Sequence, residues 1–143
     1  MPRILALDYG RRRTGWALSD PLGMLAARAG HFEHRDDASR LNAVRELCKN
    51  EKVSALVVGI PLMMDGSESR MSSEVGYFIK ALEQDPALPV ARWDERLTSK
   101  AADRLMGEME TARGKKRGGE SDRIAASLIL EEYLESRRMA GGA

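Results

Sequence analysis

The chain has 143 residues, 43% of them hydrophobic and 31% charged, with a formal net charge of +1. That length forms one domain with a real core, and the near-zero charge excludes a global field that draws the protein to nucleic acid, so any such attraction is local. One cysteine and two histidines exclude an internal disulfide and a Cys/His metal cluster; no apolar stretch approaches the roughly 20 residues that cross a bilayer, no signal-peptide core opens the chain, and the expectation is a cytoplasmic protein with no membrane contact.

Ile4 to Leu7 is an unbroken apolar run, the pattern of a strand buried on both faces. Asp8 ends it, and Gly10 and Gly15 bracket a turn that returns the backbone into a second strand, Thr14 to Ser19. Asp20-Pro21-Leu22-Gly23 is a turn with proline at its second position, and Met24 to Glu33 is expected as a third strand. The period then changes. Leu41, Val44 and Cys48 fall on one stripe of a helix over Ala38 to Asn50, whose charged residues are expected on the other face.

Val53 to Gly59 is the next buried strand. Asp65-Gly66-Ser67 turns the chain into a helix, with Ser67 as its N-cap and Met71, Val75, Phe78, Ile79 and Leu82 as its apolar stripe. Pro86 and Pro89 stop that helix, and Val90 to Trp93 forms a short strand ending at Asp94 and Glu95. Thr98 or Ser99 begins a helix to about Glu108. Residues 107–119 hold four glycines and the cluster Arg113, Lys115, Lys116 and Arg117, expected as a mobile basic loop. Ser121 to about Arg138 is the last helix, capped by Ser121, and residues 140–143 are a flexible end. The expected fold is a single α/β domain over 1–139, a mixed five-stranded sheet of three antiparallel then parallel strands flanked by helices.

Three acids stand where such a sheet places function. Asp8 ends the first strand, Glu95 the last, and Asp122 opens the final helix. Ligands of open sheets bind at the carboxyl ends of parallel strands. Asp122 could be no more than an acid in a first helical turn. It shares a face, however, with Ala126, Ile129 and Tyr133, and an acid pressed toward a sheet needs a counter-charge. Asp94 competes with Glu95, since neighbours in a strand point to opposite faces. An all-oxygen donor set suits Mg²⁺ or Mn²⁺, and two such ions activate water and stabilise the leaving oxygen of a phosphodiester.

The stretches LALDYGRRRTGWALSDPLG, VVGIPLMMDGSES, WDERLTS and SDRIAASLILEEYL run in this order over nearly the whole chain. In them the chain resembles the YqgF/RuvX family of Holliday-junction resolvase-like proteins. The resemblance implies an RNase H-like fold, a metal-dependent nuclease that processes the 5′ end of pre-16S ribosomal RNA, and an acidic triad at Asp8, Glu95 and Asp122. Met63 stands where the family usually has asparagine, replacing an amide with a thioether; Ser99 replaces a frequent threonine.

The expected partner is structured RNA or branched DNA. Tyr9, Arg11, Arg12, Arg96, Lys115, Lys116 and Arg117 are the residues expected to hold it, with Arg13 beside them in the first turn. His31, His34, Trp16, Trp93 and Cys48 read as packing or surface residues. Three alternatives remain at this level. A four-way DNA junction resolvase would require two active sites, hence a homodimer. A non-catalytic nucleic-acid adaptor would need no metal. An ATP-binding member of the actin and sugar-kinase group also begins with D-x-G, but it requires a second domain that 143 residues do not supply.

Overall fold

The computed structural model describes residues 3–61, 70–94 and 118–141. Strand β1 (Arg3–Asp8) is fully buried from Ile4 to Leu7, as its apolar run requires. It is followed by β2 (Arg13–Ser19), β3 (Ala26–Glu33), helix α1 (Asp37–Asn50), β4 (Val53–Ile60), helix α2 (Arg70–Gln84), β5 (Val90–Asp94) and helix α3 (Gly118–Gly141). The described strands make one sheet in the order β3-β2-β1-β4-β5. Pairing is antiparallel from β1 to β2 and from β2 to β3, then parallel from β1 to β4 and from β4 to β5.

The alternation of β1 assigns each residue to a layer. Leu5 and Leu7 pack with α1 and α2 through Val44, Cys48, Val75, Ile79 and Leu82. Ile4 and Ala6 pack on the other face with Ala126, Ile129, Leu130 and Leu134 of α3. Asp8 continues the second series, so the strand delivers its carboxylate to the α3 side of the rim. At Gly10 an added Cβ would lie 2.2 Å from the Arg13 carbonyl oxygen, which is why the turn takes glycine.

Several boundaries differ from the sequence reading, and two of the differences have visible causes. The carboxylate of Asp20 accepts from the backbone N–H groups of Leu22, Met24 and Leu25, which draws Met24 and Leu25 into the turn and delays β3 to Ala26. Asp36 and Ser39 form a reciprocal cap that starts α1 at Asp37. Helix α3 begins at Gly118 rather than after Ser121. Asp122 is therefore one turn inside the helix. The same helix continues to Gly141, past the expected end at Arg138.

Trp16 and Trp93 pack against the two layers, as expected. Cys48 is buried, and burial pushes its thiol up to about 11, so it is a packing residue. The expectations for Ser67, Met63, Glu95, Arg96, Ser99, the helix to Glu108 and the basic residues Arg113, Lys115, Lys116 and Arg117 lie outside the described residues. No helix among the described residues is long and apolar enough to cross a membrane.

Candidate functional site

Asp8 and Asp122 both lie beside Gly15 at one end of the sheet. Asp8 pairs in register with Gly15 across β1 and β2. A Cβ at Gly15 would lie 3.0 Å from the Asp122 Cβ and 2.0 Å from its carbonyl oxygen. The missing side chain is what lets α3 lie against the sheet, with Asp122 directly over the partner of Asp8. Asp122 shares the buried face of α3 with Ala126 and Ile129, both without solvent exposure. The counter-charge it needs is present in the chain itself: Arg13 Nε donates to Asp122 Oδ2 at 3.1 Å. Arg13 is thus tied to an acid, where the sequence suggested a cation awaiting phosphate.

Asp94 belongs to the other face. Ala91 and Trp93 pack on the α3 side, and the Trp93 ring meets Tyr133 edge-on at 6.2 Å. Alternation then puts Asp94 with Arg92, away from Asp8. Among the described residues no three His, Cys, Asp or Glu side chains form a metal-binding group, and Glu95 lies outside them. The donors of Asp8 and Asp122 are carboxylate oxygens alone, which fits a hard divalent cation rather than zinc.

The basic residues of the first turn diverge. Arg11 pairs with Glu74 of α2 at 3.3 Å on the surface. Arg12 lines a cavity of about 480 Å³ with Arg13, Glu33, His34 and Arg35. Tyr9 is half-buried on the face opposite Asp8, its ring 5.4 Å from that of Phe78. Burial raises its phenol above the ordinary value, with the Arg40 guanidinium opposing that rise.

Arg40 is the residue that sequence reasoning missed. It is only 2% exposed and shares the buried stripe of α1 with Val44 and Cys48. Its guanidinium lies 3.9 Å from the Tyr9 ring centroid. One terminal nitrogen donates to the carbonyls of Gly10 and Arg11 at 2.6 and 3.1 Å, the other to Asp37. Its Nε lies 3.2 Å from both Thr14 Oγ1 and His34 Nε2. A helix residue thereby holds the turn that follows Asp8.

His34 Nε2 accepts from Arg40 and lies 2.9 Å from the Thr14 hydroxyl. Burial, and then the Arg40 charge, hold its pKa below the ordinary value. The sign follows: below the unfolded value of about 6.5 the unfolded chain takes up a proton that the folded chain resists. Stability should therefore fall as pH drops through that window. Melting curves at about pH 7.5 and about pH 5.5 should show a smaller loss in His34→Gln than in the parent. Equal losses would assign the effect to other groups.

Comparisons with known proteins give the family and the fold. A family model described as "RuvX: Holliday junction resolvase" matches residues 2–136. A Koribacter versatilis protein named as a candidate pre-16S rRNA nuclease is 42% identical over 135 residues, covering 94% of this chain and 88% of that protein. A protein of the same name from Clostridium acetobutylicum is 37% identical over 134 residues, covering 94% and 98%. Among solved structures, RuvC from T. thermophilus in complex with a Holliday junction substrate covers 96% of both chains with a TM-score of 0.59 at 12% identity. The yeast mitochondrial Holliday junction resolvase covers 99% of this chain and 81% of its own, with a TM-score of 0.65 at 8% identity. At such identities these two likenesses carry the fold, which is that of RuvC-like resolvases.

Proposed function

The chain belongs to the RuvX family, and we propose that it is a metal-dependent nuclease hydrolysing phosphodiester bonds in the maturation of the 5′ end of pre-16S rRNA. The observation that supports this reading is the placement of Asp8 and Asp122 on either side of Gly15 at the carboxyl edge of the parallel strands. Glu95 is the third acid of the proposal. The phase of β5 supports it, because Trp93 faces α3 and Asp94 faces away. Asp8, Glu95 and Asp122 would hold Mg²⁺ or Mn²⁺, which supplies an activated water and stabilises the leaving oxygen.

The chain's own groups do the positioning. The strand end fixes Asp8, and the close approach at Gly15 fixes the height of Asp122. Arg13 orients Asp122 and offsets its charge. Arg96, Lys115, Lys116 and Arg117 are proposed to flank the acids and to offset their repulsion of a polyanion. The working location is the cytoplasm. A second reading, a four-way junction resolvase acting as a homodimer, draws support from the family description and the RuvC-like fold.

The test uses two labelled substrates, precursor rRNA and a four-way DNA junction, each incubated with and without Mn²⁺. Cleavage of the precursor only with metal is the expected result. Millimolar Mn²⁺ should also raise the melting temperature by several degrees, as a ligand of the folded state at about a hundred times its Kd adds about 2.7 kcal/mol. Cleavage of the junction alone would transfer the assignment to the resolvase. An unmoved melting curve with both substrates intact would leave an adaptor.

A further inference from the structure

Two cavities at the catalytic edge share one wall, Arg35. The first, about 480 Å³, is bounded by Arg12, Arg13, Glu33, His34 and Arg35. The second, about 380 Å³, opens on the α1–α2 side and is lined by Tyr9, Arg11, Arg40, Glu74 and Tyr77 together with Arg35, Asp36 and Asp37. Their electrostatics differ. The first has three arginines against the single Glu33; with Arg13 paired to Asp122, Arg12 and Arg35 still leave an excess of positive charge suited to a phosphate. The second balances three arginines with three acids: Glu74 pairs with Arg11, Asp37 with Arg40, and Asp36 caps α1. A phosphate gains little there. Its exposed surface is aromatic instead, since Tyr77 is 74% exposed, with Lys80 Nζ 6.0 Å from its ring centroid, much farther than the Arg40 guanidinium from that of Tyr9.

We infer that these cavities form a path for an unpaired nucleic-acid strand, with Arg12 and Arg35 gripping a phosphate and Tyr77 stacking the base beyond it. The path starts beside the acids, because Arg13 in the first cavity is the ion-pair partner of Asp122. It turns at Arg35, which reaches both cavities, and ends between the amino-terminal turns of α1 and α2. A duplex cannot follow it, since a base must leave its stack to lie on Tyr77. Tyr9 cannot do that work, with Arg40 covering its ring and Phe78 at its side. The inference rests on the nuclease reading for its direction and specifies the form of the substrate at that site: RNA that is single-stranded next to the cleaved bond.

The experiment measures binding of a fluorescent single-stranded RNA of about twelve nucleotides and of its blunt duplex, by anisotropy without divalent metal. Tyr77→Ala should weaken the single strand about tenfold and leave the duplex unchanged, as removal of one stacking ring does, while Tyr77→Trp should restore it. Arg35→Gln should weaken binding and lower the salt slope by about one. Both side chains are exposed, so melting temperatures should not move. A Tyr77→Ala protein that binds the single strand like the parent, or loses both forms equally, overturns the path. Cleavage of precursor rRNA by the parent is read in parallel. A parent that cleaves while both variants bind normally removes the path and keeps the nuclease. A parent that never cleaves, with single-strand binding lost as stated, removes the nuclease and keeps the path.

Discussion

Gly15→Ala should be among the most damaging single-methyl additions to this chain. The new Cβ would stand 2.0 Å from the Asp122 carbonyl oxygen and 2.5 Å from its carbonyl carbon, whereas carbon and oxygen meet at about 3.3 Å or more. The obstacle is backbone, so no rotamer relieves it. Helix α3 must retreat by over an ångström, and Ala126, Ile129, Leu130 and Leu134 lose contact with Ile4, Ala6 and Val57. Overpacking of a rigid interface costs about 1–3 kcal/mol and more when backbone must move. A fall in melting temperature of roughly 10 °C is expected for a domain of this size. The same retreat lifts Asp122 from Asp8, so Mn²⁺ stabilisation should vanish with it. Gly76→Ala is the matched control. Nothing lies within 4 Å of its added Cβ, and it sits inside α2, so it should gain about 0.5–1 kcal/mol. Near-parental melting and metal response in Gly15→Ala would refute the close approach.

The parts of this site that could be read from sequence are those written in local pattern. Four apolar residues before Asp8 place a carboxylate at a strand end without any knowledge of the partners. The spacing of Asp122, Ala126, Ile129 and Tyr133 places the second acid on the sheet side of its helix, and the structure buries Ala126 and Ile129 there. The start of α3 was not legible, since glycines at 118 and 119 read as loop by propensity alone. Nor was the Arg13–Asp122 pair, whose members are 109 residues apart. Arg35 gave no signal either, being one more cation on a polar stretch; only the cavities it borders distinguish it.

Arg40 shows the limit most sharply and supports the last expected result. An arginine in an amphipathic helix reads as a solvated residue, yet this one is buried, because the carbonyls it satisfies come from a turn 29 and 30 residues away. Arg40→Ala removes the donor to both carbonyls, the cation over Tyr9 and a partner of His34. A fully buried acceptor left unsatisfied costs about 1–3 kcal/mol, and these two are part-buried. The adjoining cavity readmits some water, so a total near 3 kcal/mol and a drop of roughly 10 °C are expected. Asp37, 81% exposed, contributes little to this sum; Asp37→Asn should stay within about 0.5 kcal/mol of the parent. Arg40→Lys should recover only part of the loss, because one ammonium cannot span the carbonyls, Thr14 and the ring together. The turn held by Arg40 follows directly on Asp8, so the variant should also need more Mn²⁺ for half-maximal stabilisation than the parent. If Arg40→Ala melted like the parent, or Asp37→Asn lost as much, the clamp would not be what holds this turn.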